Sequence, residues 1–538
     1  MANQKSYPIR FTPRGLSDAF DATDTFAGAC RTMQNLIFDQ SNPEQIAARP
    51  GVGSPMTSFV TFTTPTFVSL QENVNGVIYG MVASALTAGY DQPFAFQIGV
   101  GFISISGVTS GNVPVSLSTT GDWIPPSLAV IGAKIVVTHA GFSGLGSNFF
   151  GVIDISNPAA PAWSAANTST HALPSVPTFV ANFNNRAYFV CKNLAYYSDV
   201  LVPTTMTNAG QSLTVGDTSP ILALSGLPVQ TTSAGVVAAL IVFKQFQIWQ
   251  ITGDAAITGS LAQNFLSLNI GCMSPRTIVQ TPIGTVFIGI DGAYLVSALG
   301  QVMPLTKDYA KLVQDVQTPF QAIVNPTRAA AAFTGGIYRV CLDTTVNGQQ
   351  VTNDYWFDIV TRRWTGPHTF AYDCASPAGN YFVLSHRAYG AALFNSPYLP
   401  TVTSNYNDNG VSITAILESS LFPKTQNINM KQVVESTIEL SSLAQSISYT
   451  INALDEQHNQ IGTAQANLVM NVPRWGAGAW GSGLLWTASN NVPATYTVAW
   501  SAPLVFKKMA IQIIASANFY LSIGTFFAKY QDCGYTNK

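Results

Sequence analysis

Ionised side chains are scarce in this sequence. Only 9% of its 538 residues are Asp, Glu, Lys or Arg, against roughly 25% in an ordinary soluble chain. The 24 basic and 26 acidic residues leave a formal charge of −2, and no basic run exceeds the pairs Arg362-Arg363 and Lys507-Lys508. A domain that grips nucleic acid carries clustered basic residues. Contact with DNA is therefore expected to be weak and non-specific, with Arg362, Arg363, Lys507 and Lys508 as its candidates. Cysteine chemistry is equally thin. Cys30, Cys191, Cys272, Cys341, Cys374 and Cys533 form no C-x-x-C pair, which argues against a zinc cluster or a disulfide framework. They are expected to be buried free thiols of a protein assembled in a reducing cytoplasm. The five histidines make no H-x-x-x-H, H-E-x-x-H or H-x-H pattern, so neither a metal site nor a cofactor is expected.

Other signatures are missing too. There is no G-x-S-x-G elbow. Residues 476–481 match G-x-G-x-x-G literally, but they do not lead from a strand into a helix, and Trp480 would obstruct a pyrophosphate. No acidic pair stands out for glycoside hydrolysis, and the expectation is that the chain is not an enzyme. The N-terminal MANQKSYPIRFTPRG has no apolar stretch of signal-peptide type. The long uncharged windows are broken by Gly, Pro, Ser and Thr, so no membrane-spanning helix is expected.

What the chain has instead is hairpins. Residues 238–243 and 247–251 are two short apolar runs rich in β-branched and aromatic residues, separated by Lys244-Gln245-Phe246. Residues 285–290 and 293–296 flank Asp291-Gly292, a pair that favours a type I′ turn, and 301–305 supply a return strand. The same unit recurs: 179–183 and 186–190 around Asn184-Asn185, 330–333 and 337–342 around Thr334-Gly335-Gly336, 381–385 and 388–394 around His386-Arg387. These turns recur at steps of roughly 40–60 residues, near the roughly 40–50 residues of a propeller blade. The fold expected is all-β: a β-propeller of about six to eight blades, with seven favoured, over residues 57–400.

The flanks differ in texture. Residues 1–56 are rich in Pro, Gly and Asp and suggest an extended arm that joins a platform, with a short helix over 29–37. Asp18, Asp21 and Asp24 fit turn and cap roles better than a calcium loop. Residues 307–324 place Ala310, Val313, Val316 and Phe320 at helical spacing, which predicts a helical insertion between blades. Residues 401–538 alternate apolar and polar over about seven segments, the pattern of an antiparallel β-sandwich. Between two of them lies RWGAGAWGSGLLW (474–486), whose Arg474, Trp475, Trp480 and Trp486 are candidate interface residues, since Trp and Arg are enriched at subunit contacts. A chain with 47% hydrophobic residues and so few charges is poorly suited to life as a monomer, so assembly with copies of itself is expected.

Three stretches resemble one family. SDAFDATDTFAGACRTMQNLIFDQSNPEQIAARPGVG near the N-terminus, NRAYFVCKNLAYYSDV at 185–200, and PVQTTSAGVVAALIVFKQFQIWQITGD followed by GCMSPRTIVQTPIGTVFIGIDGAYLV are similar to the tail hub, or nozzle, proteins of short-tailed phages (podoviruses), also called tail tubular or packaged-DNA stabilisation proteins. The resemblance spans about 10–305 and covers the C-terminal sandwich only in general character. It implies a virion-tail protein, assembled in the host cytoplasm as a homohexamer below the head–tail adaptor. Such a ring retains packaged double-stranded DNA and conducts it at ejection. The arm and sandwich would build the ring, the propeller would face tail fibres or spikes, and a tail needle or plug is a further partner. The alternatives are a receptor-binding, fibre-type phage protein, which predicts trimers, and a glycan-binding β-propeller.

Overall fold

The computed structural model describes residues 7–17, 28–39, 45–56, 65–84, 92–114, 125–231, 235–257, 260–306, 320, 323–346, 348–385, 392–400, 406–423, 429–442, 446–469, 494–516 and 520–534. Among them there is no α-helix, only strands and three short 3-10 turns. The expected helix at 307–324 and the Trp-rich loop at 474–486 fall almost wholly outside the described residues, as do the Asp18/Asp21/Asp24 stretch and the His386-Arg387 turn.

Seven small antiparallel sheets follow one another along the chain, at 65–103, 127–166, 179–214, 221–267, 279–304, 330–368 and 374–397. Among the described residues six have four strands in simple sequence order and the last has three. The first strand of each lies beside the first strand of the next or its neighbour. The seventh sheet's opening strand, Cys374–Ala378, returns to the first sheet's Pro65–Val74. This closed circle is a seven-bladed β-propeller, and the sheets are numbered as blades 1 to 7 below.

Local chemistry explains the hairpins. Asn184 and Asn185 join Phe179–Phe183 to Arg186–Cys191 with φ of 49° and 57°. Asn tolerates the left-handed region better than most residues, and both central positions of a type I′ turn demand it. Gly335 and Gly336, with φ of 59° and 83°, do the same in blade 6. The type I′ turn expected at Asp291-Gly292 is not what forms. Neither residue has a positive φ, and Gly284–Ile288 and Ala293–Ser297 are joined across four residues by a Gly289 N–H to Gly292 O bond of 2.8 Å. The Asp291 carboxylate instead accepts from the Tyr294 hydroxyl at 2.6 Å.

Each seam between blades is filled by side chains from the two facing sheets. Phe150 of blade 2 meets Phe189 of blade 3 at 4.8 Å between ring centroids, and Phe243 of blade 4 meets Phe287 of blade 5 at 5.1 Å. Such pairs add about 0.5–1.5 kcal/mol beyond the area they bury. The seam between blades 5 and 6 is different, because Val286, Tyr338 and Trp364 merge with Met33, Ile438 and Phe526 of the C-terminal part in one continuous core.

That C-terminal part is a two-sheet arrangement woven from both ends of the chain. One sheet runs Leu36–Phe38, Ile46–Ala48, Leu521–Gly534, Met430–Ser442, Ala494–Thr497, with Tyr7–Phe11 also on Leu521–Gly534 and Val505–Phe506 on Met430–Ser442. The other runs Cys30–Gln34, Thr414–Ser419, Ala510–Ser516, Ser446–Leu454, Gln460–Val469. The helix expected at 29–37 is therefore two strands, one in each sheet. The switch is Asn35, at φ 56° and buried, whose side chain donates to Thr414 O at 2.9 Å. Pairing with 414–419 on one side and with Ile46–Ala48 on the other outweighs the helical spacing of the apolar residues. A buried network then ties arm, propeller and sandwich together. The fully buried Arg49 donates to Asn35 Oδ1 at 2.9 Å and to both carboxylate oxygens of Asp408, and Thr369 N–H at the end of blade 6 donates to the same Asn35 oxygen at 3.1 Å. Gly51 is required there, because a Cβ would lie 2.2 Å from Asn407 O.

Candidate functional site

A concave feature lies on the propeller axis. A cavity of about 760 Å³ runs between the opening strands of the blades. It exists because each blade's opening strand pairs on one side only, leaving its other backbone edge toward the axis. It is bordered by small residues such as Ala129, Ala181, Gly226 and Ala375 and by the bulkier Leu128, Phe179, Leu224 and Phe333.

Several bordering polar groups are consumed in holding the ring together. Ser127 Oγ of blade 2 donates to Val180 O of blade 3 at 3.2 Å and accepts from Val180 N–H at 3.3 Å. Asn182 Nδ2 donates back to Val130 O at 2.6 Å. Gln280 of blade 5 reaches Gly226 O of blade 4, and Thr334 Oγ1 of blade 6 donates to Gly379 O of blade 7 at 2.8 Å. The circle is closed between blades 7 and 1 by the arm, where Met56 N–H donates to Leu393 O at 2.8 Å.

Among the described residues, Arg276 is the one ionisable side chain bordering the cavity. It sits on the single turn Pro275–Thr277 that leads into blade 5. Its Nη2 donates to Asp373 O at 2.6 Å and lies 2.9 Å from Cys374 Sγ. The carboxylates nearby are engaged by Arg328, whose Nη1 is 3.1 Å from Asp343 and whose Nη2 is 3.5 Å from Asp373. Nothing in the sequence singled out Arg276; it is a lone arginine after a proline.

The residues expected to matter are dispersed. Arg362 lies exposed in the turn between Gln349–Asp358 and Arg363–His368 of blade 6, at φ 57°. Arg363 is half-buried and lays its stem over Gly15 of the arm, 3.0 Å from where a Cβ would be. Lys507 is exposed and Lys508 half-buried on the sandwich, between Val505–Phe506 and Ala510–Ser516. The Lys507 carbonyl accepts from Lys431 Nζ at 3.1 Å, and burial, aided by Lys508, pulls Lys431 below the usual lysine range. The basic pairs thus belong to different bodies rather than to one site. Arg474, Trp475, Trp480 and Trp486 lie outside the described residues. The cysteines depart from expectation in one case, since five are buried but Cys533 is exposed. Among the described residues no three His, Cys, Asp or Glu side chains converge as a cation site, and no helix is long and apolar enough to cross a membrane.

The geometry defines a β-propeller joined to a β-sandwich. No family model and no curated protein matches the sequence. Solved structures do. A puromycin-hydrolysing peptidase of Mycobacterium tuberculosis is similar at 11% identity and a TM-score of 0.37, over 70% of this chain and 60% of that one. A puromycin hydrolase is similar at 10% identity and a TM-score of 0.37, over 77% and 62%. The Dos1 propeller is similar at 8% identity and a TM-score of 0.33, over 72% and 95%. The chain thus spans about 60% of the length of the peptidases it matches. The expectation that this chain is not an enzyme is corrected here, because similar structures include these hydrolases and an acylaminoacyl peptidase. At such identities and TM-scores the likenesses assign the chain no activity.

Proposed function

We propose that this chain is a tail hub, or nozzle, subunit of a short-tailed phage. Six copies form a ring below the head–tail adaptor, retain packaged double-stranded DNA and let it pass at ejection. The observation that carries this reading is the weave of the sandwich from both chain ends, with the propeller attached at the seam of blades 5 and 6. A platform fixed in this way can pack side by side around an axis while the propeller is held to one side for fibres, spikes or a needle.

Charge supports the same reading. Arg49, Lys244, Arg339 and Lys431 are buried, as are Asp343, Asp354 and Asp373, so these ionised groups are not offered to a passing polyanion. Salt-dependent affinity for DNA grows with the number of phosphates neutralised, and a conduit must hold few. Exposed apolar residues on blades 4 and 5, namely Ile257, Phe265, Leu268 and Leu299, offer docking surface. Negative-stain microscopy of the purified chain tests the reading. Six-fold rings with an open centre are expected; three-fold particles point to the fibre-type alternative and overturn it.

A further inference from the structure

We propose that the propeller axis is a binding site for a ligand that ends in a carboxylate and carries a slender, uncharged, hydrogen-bonding body, with Arg276 as its anion contact. The site stands independently of the tail reading. Its volume, about 760 Å³, lies within the roughly 300–1,000 Å³ of small-ligand sites.

Three features define the ligand. The first is charge. Arg276 borders the cavity, and its two bonds both leave from Nη2, to a carbonyl and a thiol. Among the described residues its Nη1 and Nε make no hydrogen bond and no carboxylate pairs with it, while Asp343 and Asp373 are engaged by Arg328. A guanidinium anchored through Nη2 keeps separate N–H donors on Nε and Nη1, and either makes a charge-assisted bond to a carboxylate. The second is the wall. Opening strands paired on one side only turn backbone N–H and C=O groups toward the axis, and those groups need partners. Asn182, Gln280 and Ser127 already meet some of them from the neighbouring blade. A ligand with alternating donors and acceptors can meet others in place of water. The third is width. Phe179, Leu224, Ile278 and Phe333 also border the cavity, which favours a chain without bulky branches. A short peptide's C-terminal end meets all three conditions, and a small free carboxylate meets the first and third.

Calorimetric titration of the full-length, assembled protein with N-acetyl-trialanine, as free acid and as C-terminal amide, tests this. The free acid is expected to bind once per chain and the amide at least about tenfold more weakly, the usual worth of a charge-assisted pair. Arg276→Gln should weaken the acid by about the same factor and leave the amide unchanged. Ala331→Leu, at a half-buried position bordering the cavity, should abolish binding of both with little change in melting temperature. Octanoate distinguishes the sources. If it binds as well as the peptide acid, small carboxylates are the ligand class; if it does not bind, a chain end is. No binding of either acid at millimolar concentration, equal binding of acid and amide, or binding indifferent to both substitutions overturns the proposal.

Discussion

Arg339 Nε lies 2.7 Å from Asp354 Oδ2, and both side chains are completely buried between blades 6 and 7. Trp356 Nε1 donates to the same oxygen at 2.7 Å, Tyr372 donates its hydroxyl to the other at 3.1 Å, and Ser396 Oγ is 2.6 Å from Arg339 Nη1. The guanidinium is stacked among Trp356, Tyr372 and Phe382, at 4.8–5.5 Å from their centroids. Removing one partner leaves an uncompensated buried charge, which costs roughly 3–5 kcal/mol. Arg339→Leu and Asp354→Leu should each destabilise the propeller by that order in denaturant titrations. The double substitution should cost clearly less than the two added. Additivity would contradict this account of the pair.

His368 ends the adjacent strand Arg363–His368, opposite Asp354. It is fully buried, with Nε2 3.3 Å from Thr365 Oγ1. Burial, reinforced by the Arg49 and Arg339 cations, holds it well below the ordinary histidine range. The unfolded chain therefore takes up a proton at its usual pKa of about 6.5 that the folded chain refuses. The contribution of this residue is present in full above about pH 6.5 and declines as pH falls below it, by up to about 1.4 kcal/mol per pH unit. His368→Gln should flatten that part of the stability profile measured between pH 7.5 and 5.5. An unchanged slope would remove His368 as its source.

Ser127 and Val180 exchange two bonds across the seam of blades 2 and 3. Ser127→Ala strands the Val180 amide and carbonyl, at a cost of about 1–3 kcal/mol. Thermal unfolding should show the loss. Ser127→Thr keeps the hydroxyl and should recover part of it.

The N-terminal strand Tyr7–Phe11 pairs with the long strand Leu521–Gly534 and buries Ile9 and Phe11, with Phe11 stacked on Phe422 at 6.1 Å. Full burial of such side chains contributes about 1.5–3 kcal/mol each. A chain lacking residues 1–11 should lose about 3 kcal/mol or more from the sandwich and melt earlier. An unaltered melting temperature would show that the arm is dispensable to the platform.

Much of the propeller was legible in the residues, because alternation and turn chemistry are local. The Asn184-Asn185 and Gly335-Gly336 hairpins stand where their sequences put them. The strands 414–419, 446–454 and 521–534 follow the alternation of the C-terminal segment. Two readings failed for tertiary reasons. The apolar spacing at 29–37 served two sheets rather than one helix face, with Asn35 as the switch, and Asp291 was recruited by Tyr294 instead of a tight turn. The axial cavity had no sequence signal, since it is bordered by residues of six separate opening strands that come together only when the blades close. The exposure of Cys533 was likewise a matter of position, near the end of the last strand.

The native mass of the purified protein tests the central claim most directly. A subunit of 57.3 kDa that builds a tail ring should appear in solution at six times that mass, stable to dilution and to moderate salt. A stable monomer at working concentration, or a trimer, would contradict the account.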